Sequence, residues 1–236
     1  MERYKQQLIL SEIGLIGQEK ISSASVLVIG AGGLGSIVTG FLGAMGVGKI
    51  GICDFDTIEE SNLHRQIFFS PNDIGCKKSE VLSNKIKIQN PSIEIISFAE
   101  RMNASNSKLS SDFNIICDCS DNLETRFLIN KTCEQLDKPL IHGALSEWNG
   151  YITVFHYKNK YSLLDLFEIS DLLQNQSCSK NGINSTICGI IGSYMANEAL
   201  KIILNINSVL DGKLLYVNGL TNTTKHLKFK KIEKIN

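Results

Sequence analysis

Asp54 and Asp56, Arg65 with Gln66, Lys77 or Lys78, and Asp118 with Asp121 follow one another in a pattern that suits phosphate chemistry. Cleaving a triphosphate needs cations against phosphate oxygens and a carboxylate able to hold Mg2+. A redox dinucleotide needs fewer cations, because backbone amides suffice for its pyrophosphate. The set therefore favours ATP over a nicotinamide dinucleotide.

The elements that must position these side chains begin with Val26-Leu-Val-Ile-Gly-Ala-Gly-Gly-Leu-Gly35. A β-branched run ends at Gly30, and Gly32 and Gly35 complete the spacing G-x-G-x-x-G. An apolar helical pattern then runs from Ser36 to Met45. This predicts a strand, a tight turn and a helix whose N-terminus faces a phosphate. Asp54 follows roughly 20 residues on, where a ribose-binding acid belongs. Further strands are predicted at 49–53, 93–98, 113–117 and 139–142, with helices at 77–89 and 123–136. Gly14 and Gly17 should break the helical stretch 4–22, and Val81, Leu82, Ile86 and Ile88 should share an apolar helix face. Antiparallel strands at 150–156, 213–217 and 225–229 and an apolar helix at 187–204 close the chain. The expected fold is α/β: a Rossmann-like, doubly wound, mostly parallel sheet extended by antiparallel strands in the C-terminal part.

Composition excludes several classes. Twenty-four basic residues balance 24 acidic ones, so no electrostatic footprint for nucleic acid or an anionic membrane is expected. The uncharged stretch between Lys20 and Lys49 contains the glycine cluster and reads as a buried strand and helix, not a membrane span. The opening Met1–Gln7 lacks signal-peptide features, and seven cysteines without a C-x-x-C pair suit a reducing cytoplasm. His142, His156 and His226 fall in strand-like runs and read as ordinary satisfied histidines.

Arg3-Tyr4, Gly17-Gln18, the glycine turn, Asp54-x-Asp56, Ser61-Asn-Leu-x-Arg-Gln66, Asp118-Cys-Ser-Asp-Asn122 and Gly143 occur in that order. Together they resemble the ThiF/MoeB/HesA group of ubiquitin-activating-enzyme-like sulfur-carrier adenylyltransferases, over nearly the whole chain. The resemblance implies one adenylation domain, with residues 1–145 binding nucleotide and 146–236 binding the carrier. It implies ATP-dependent adenylation of the C-terminal glycine of a small ubiquitin-like carrier ending in Gly-Gly. By position, Gly30, Gly32, Gly33, Gly35, Asp56, Gln66 and Asn122 would line the nucleotide site, and Asp54 would hold the ribose. Asn62, Arg65 and Lys78 would neutralise phosphates, and Asp121 would hold Mg2+. A homodimer is implied, with a sulfur-donating enzyme as a further partner.

Relatives commonly bind structural zinc through two C-x-x-C pairs; here Tyr161-Ser-Leu-Leu164 stands where the first would begin. No zinc is expected, with Leu163, Leu164, Leu166 and Phe167 packing instead. Gln6 replaces an arginine that relatives extend to a partner subunit, and His64 replaces a usual glutamine. Cys178, in the crossover loop 157–187, matches a reactive crossover cysteine and is expected to act covalently, whereas Cys188 reads as structural. Trp148, beside Gly150, either lines the floor near the carrier tail or packs. The zinc-free pattern leans towards the thiamine thiazole pathway. The alternatives are a molybdopterin-synthase carrier adenylyltransferase, a tRNA-modifying member and an NAD-dependent oxidoreductase.

Overall fold

Strand β1 (Ser25–Ile29) buries every side chain after Ser25, a pattern that only a central strand covered on both faces can satisfy. In the computed structural model, which describes residues 2–166 and 182–231, it lies between β2 (Lys49–Cys53) and β4 (Ile115–Asp118). With β3 (Glu94–Phe98), β5 (Leu140–Ser146), β6 (Asn149–Phe155), β7 (Lys213–Asn218) and β8 (Thr223–Lys228) it forms a sheet ordered β3-β2-β1-β4-β5-β6-β7-β8. Pairing is parallel from β3 through β5 and antiparallel from β5 through β8. The expected α/β architecture with its antiparallel extension is what is observed.

Successive residues of β1 serve opposite faces, as a two-residue period requires. Val26 and Val28 join the core formed with α3 (Gly33–Met45), α4 (Lys78–Gln89) and α6 (Ser185–Ile203). Leu27 and Ile29 join the opposite core, to which α5 (Leu123–Leu136) contributes Ile129 and Cys133. Leu163 and Leu166 enter that second core beside Tyr161 and Phe229. α1 (Lys5–Leu8) and α2 (Gly14–Ser23) precede the sheet. The chain leaves β1 for β2 on one side and later adds β4 on the other. This places a topological switch point, and hence a crevice, at the carboxyl ends of β1 and β4.

Several expectations are corrected. Gly17 lies inside α2, where a side chain would press on Leu204 and Ile13; only Gly14, at φ +54°, marks a break. α3 begins at Gly33, three residues earlier than the apolar pattern, because glycines carry no hydrophobic signal. Ile88 is 82% exposed: two residues beyond buried Ile86, it is rotated about 200° around the helix. Leu164 is also exposed, unlike its neighbours, and His226 is exposed on edge strand β8, whose polar residues discourage further pairing. Phe167 and Cys178 lie outside the described residues. No helix among the described residues is long and apolar enough to cross a membrane.

Candidate functional site

The turn after β1 draws three strand ends together. Gly30 adopts φ +95° and donates its N–H to Cys53 O at 2.9 Å; a Cβ there would lie 2.7 Å from Cys119 O. Only glycine satisfies both the left-handed backbone and this approach. Gly32 precedes α3 without a side-chain cap, so the first N–H groups of the helix are left for an anion. A Cβ on Gly32 would meet nothing closer than Gln66 Nε2 at 3.7 Å, whereas one on Gly35 would lie 1.7 Å from Gly30 O. Gly30, Gly32 and Gly33 line a cleft of about 450 Å³ at the switch point; Gly35 lies beneath it as the contact between helix and turn.

Asp54, just past β2, is largely buried. Its Oδ2 accepts from Ala31 N at 2.6 Å and its Oδ1 from Asp56 N at 2.7 Å. Burial pushes its pKa up, against the pull of these two N–H groups and the Lys78 charge. Asp54 therefore ties the glycine turn to β2, and its remaining lone pairs stay available to a ligand hydroxyl.

The loop after Asp56 is closed at its ends by a bridge between Thr57 and Lys77. Within it, Asn62 and Glu59 form a reciprocal cap around a short 3-10 turn. Arg65 Nη1 donates to Ser61 O at 3.0 Å and lies 2.8 Å from His64 Nε2. The histidine that departs from the family pattern thus holds the arginine. Gln66 is buried, and its Oε1 has no hydrogen-bond partner among the described residues. Lys78, in the first turn of α4, reaches Asp56 Oδ2 at 2.9 Å inside the cleft, while Lys77 turns away to Phe55 O.

Asp121 follows β4 at the cleft rim. Its one hydrogen-bond contact among the described residues is Asn122 Nδ2 at 3.5 Å, and Asn122 Oδ1 caps α5 by accepting from Thr125 N. The structure thus brings together Gly30, Gly32, Gly33, Asp54, Asp56 and Asn62 with Arg65, Gln66, Lys78, Asp121 and Asn122. Asp118 is a correction. It is fully buried, with Oδ2 on His142 Nδ1 at 2.8 Å, and does not line the cleft.

Sequence reasoning missed Arg101, whose guanidinium lies over the Phe55 ring, and Arg126 of α5. An arginine one turn into a helix carries no periodic signal separating it from a solvated face. Cys188 is buried, as expected, yet its Sγ forms part of the cleft wall against Gly33. Trp148 is 42% exposed beside a second, shallower pocket with Ile183 and Asn184.

The donor set fits a nucleoside polyphosphate and a divalent cation. The uncapped helix terminus, the space above Gly32 and the side chains of Arg65 and Lys78 face one volume. Asp121 keeps carboxylate lone pairs for a cation that draws its other ligands from phosphates and water.

The buried pair behind the cleft gives a pH prediction. Burial drives the His142 pKa down, outweighing the pull of Asp118. Asp118 is held below the usual carboxylate range: burial opposes this, but the His142 hydrogen bond and the His142 and Arg126 charges overcome it. Both folded values lie below the unfolded ones, so the stabilisation is present above the ordinary histidine value of 6.5 and lost as pH falls. Urea unfolding should show stability declining below that pH by up to about 1.4 kcal/mol per pH unit for the histidine. His142→Gln should flatten that decline; an unchanged slope would assign it to other groups.

The chain is similar to several curated proteins over most of its length. The chain is 39% identical over 93% of its length to a probable molybdopterin-synthase adenylyltransferase of Porphyra purpurea. It is 35% identical over 96% of its length to a sulfur carrier protein adenylyltransferase of Thermus thermophilus, covering 86% of that protein. It spans little more than half the length of most of the curated relatives it matches, 58% for the Porphyra protein. The solved structure of E. coli MccB with MccA superposes over 99% of this chain and 73% of that one, with a TM-score of 0.83 at 20% identity, a likeness of fold. The profile of the ThiF family matches residues 4–234, and with these identities the chain belongs to the ThiF family.

Proposed function

We propose that the cleft binds MgATP and adenylates the C-terminal glycine carboxylate of a small ubiquitin-like sulfur-carrier protein ending in Gly-Gly. Pyrophosphate would leave, and the acyl adenylate would be ready for thiocarboxylate formation. The observation that carries this reading is the convergence of an uncapped, glycine-built helix terminus with Arg65, Lys78 and Asp121 in one cleft. A nicotinamide site would not call for that cation set.

In this reading the first turn of α3 cradles phosphate through backbone N–H groups. Arg65 and Lys78 offset the negative charge that grows on pyrophosphate as the carboxylate attacks the α-phosphate. Lys78 starts from its ion pair with Asp56, and Arg65 is held near its position by His64 and Ser61 O. Asp54 accepts a ribose hydroxyl with lone pairs left over from the turn. Asp121 holds Mg2+, which supplies charge neutralisation on the phosphates when bound.

Residues 1–145 would serve the nucleotide and 146–236 the carrier, with Trp148 and Ile183 near the entering tail. Exposed Ile9, Leu15, Ile16 and Phe41 support a homodimer. The names of the relatives favour a molybdopterin-type or general sulfur carrier over the thiamine carrier that the missing cysteine pairs suggested. A covalent role for Cys178 and a sulfur-donating partner belong to the same proposal.

The test is exchange of labelled pyrophosphate into ATP, run with a molybdopterin-type and a thiamine-type carrier. Exchange should depend on the Gly-Gly end and be greater with the former. Silence with both carriers would refute the activity, and a preference for the second would restore the thiamine assignment.

A further inference from the structure

Ser120, the residue directly before Asp121, is gripped from two sides. Its N–H and its hydroxyl both donate to Asp118 Oδ1, at 3.0 and 2.6 Å. Its carbonyl oxygen accepts from Arg126 Nε at 3.3 Å and Nη2 at 2.9 Å. Behind these, His142 Nδ1 meets Asp118 Oδ2 at 2.8 Å, and His142 Nε2 lies 3.3 Å from Tyr151 Oη. A continuous polar chain therefore runs from β6 through β5 and the end of β4 to the loop, and across it to α5.

This network is costly to build. Asp118 and His142 are essentially without solvent contact, and Arg126 is 9% exposed. Buried charges of this kind persist where they are paired, and a strand end could be closed by neutral hydrogen bonds instead. The planar guanidinium presents two donors to one carbonyl, which fixes orientation as well as distance. What these bonds immobilise is the loop whose next side chain, Asp121, enters the cleft with one weak hydrogen-bond contact of its own among the described residues.

We propose that Asp118, Ser120 and Arg126 form a positioning clamp that aims the Asp121 carboxylate at a nucleotide-bound divalent cation, with His142 orienting Asp118. The inference rests on the nucleotide reading above. Arg126 is a positioning residue: its Nε and Nη2 donate to the Ser120 carbonyl, and through that contact its effect on the cation passes along the backbone of the loop. Groups that orient a ligating carboxylate from behind typically contribute 10- to 100-fold in metal affinity.

The experiment is a titration of Mn2+, followed by its electron paramagnetic resonance signal, into protein saturated with a non-hydrolysable ATP analogue. Wild type should bind the ion. Arg126→Gln should bind it about 10- to 100-fold more weakly, and Arg126→Lys, which restores charge but a single donor group, should fall between. Equal affinities in wild type and Arg126→Gln would overturn the clamp while leaving the nucleotide reading intact. Failure of wild type to bind Mn2+ with the analogue would overturn both. Should Arg126→Gln not fold, Ser120→Ala removes only the 2.6 Å hydroxyl bond to Asp118. It should weaken Mn2+ binding severalfold; unchanged affinity there also refutes the clamp.

Discussion

Gly35→Ala is expected to disrupt the turn after β1 and destabilise the whole chain, whereas Gly32→Val should fold and fail to bind nucleotide. The contrast follows from where each added Cβ would go. At Gly35 it would stand 1.7 Å from the carbonyl oxygen of Gly30, which is backbone in a left-handed conformation with no freedom to retreat. Relieving that overlap means parting α3 from β1. The cost should reach or exceed the upper end of the ~1–3 kcal/mol typical of overpacking, against a total stability of about 5–15 kcal/mol for an ordinary domain. At Gly32 the backbone is at φ −79° and the new carbon meets only Gln66 Nε2 at 3.7 Å, so the fold has room for it. That room is the space above the helix terminus, and a valine there would occupy the place of a phosphate. Thermal unfolding and nucleotide titration together separate the two. If Gly32→Val unfolded as readily as Gly35→Ala, both glycines would serve packing first.

Removing the charges that face that space should have the largest catalytic effect. Arg65→Ala is expected to lower pyrophosphate exchange by about 100- to 1,000-fold, the range for deleting one preorganised donor to a developing anion. Asp121→Ala should abolish exchange while leaving the unfolding midpoint near wild type, because the side chain is exposed and makes one 3.5 Å hydrogen-bond contact among the described residues. His64 enters this prediction through its 2.8 Å contact with Arg65 Nη1. If Arg65→Ala and Asp121→Ala both retained more than a tenth of wild-type exchange, the cleft would not be the site of the chemistry.

Much of this was legible in the amino-acid order because local rules act on it. The strand at Lys49–Cys53 and the helix at Leu123–Leu136 have the bounds expected from the sequence, since a short run with Ile50 and Ile52 stopped by Asp54 and a helical run capped by Asn122 leave little choice. The first glycines were readable as a turn, and Asp54 as an acid at the end of a strand. Ile88 and Leu164 misled for the same local reason: apolar type signals burial, but helix phase and the neighbouring chain decide which face is covered.

Arg65, Lys78 and Asp121 were named from the sequence, but types and spacing could not separate Asp118 from Asp121. The two acids lie three residues apart after one apolar run. Only the packing of β5 against β4, which places His142 beside Asp118, makes one acid a buried structural anion and leaves the other open to the cleft. Arg126 differs, because its guanidinium, in the first turns of α5, closes on the carbonyl before Asp121 from close by in the chain. The sequence by itself determined the strand–turn–helix, the α/β class and the inventory of charges, all of which rest on contacts within a few residues. Tertiary structure alone decided which charges share a cleft and which neutralise one another in the core. Those partners come from strands and helices far apart in the chain, and the spacing along the chain holds no record of which of them will meet.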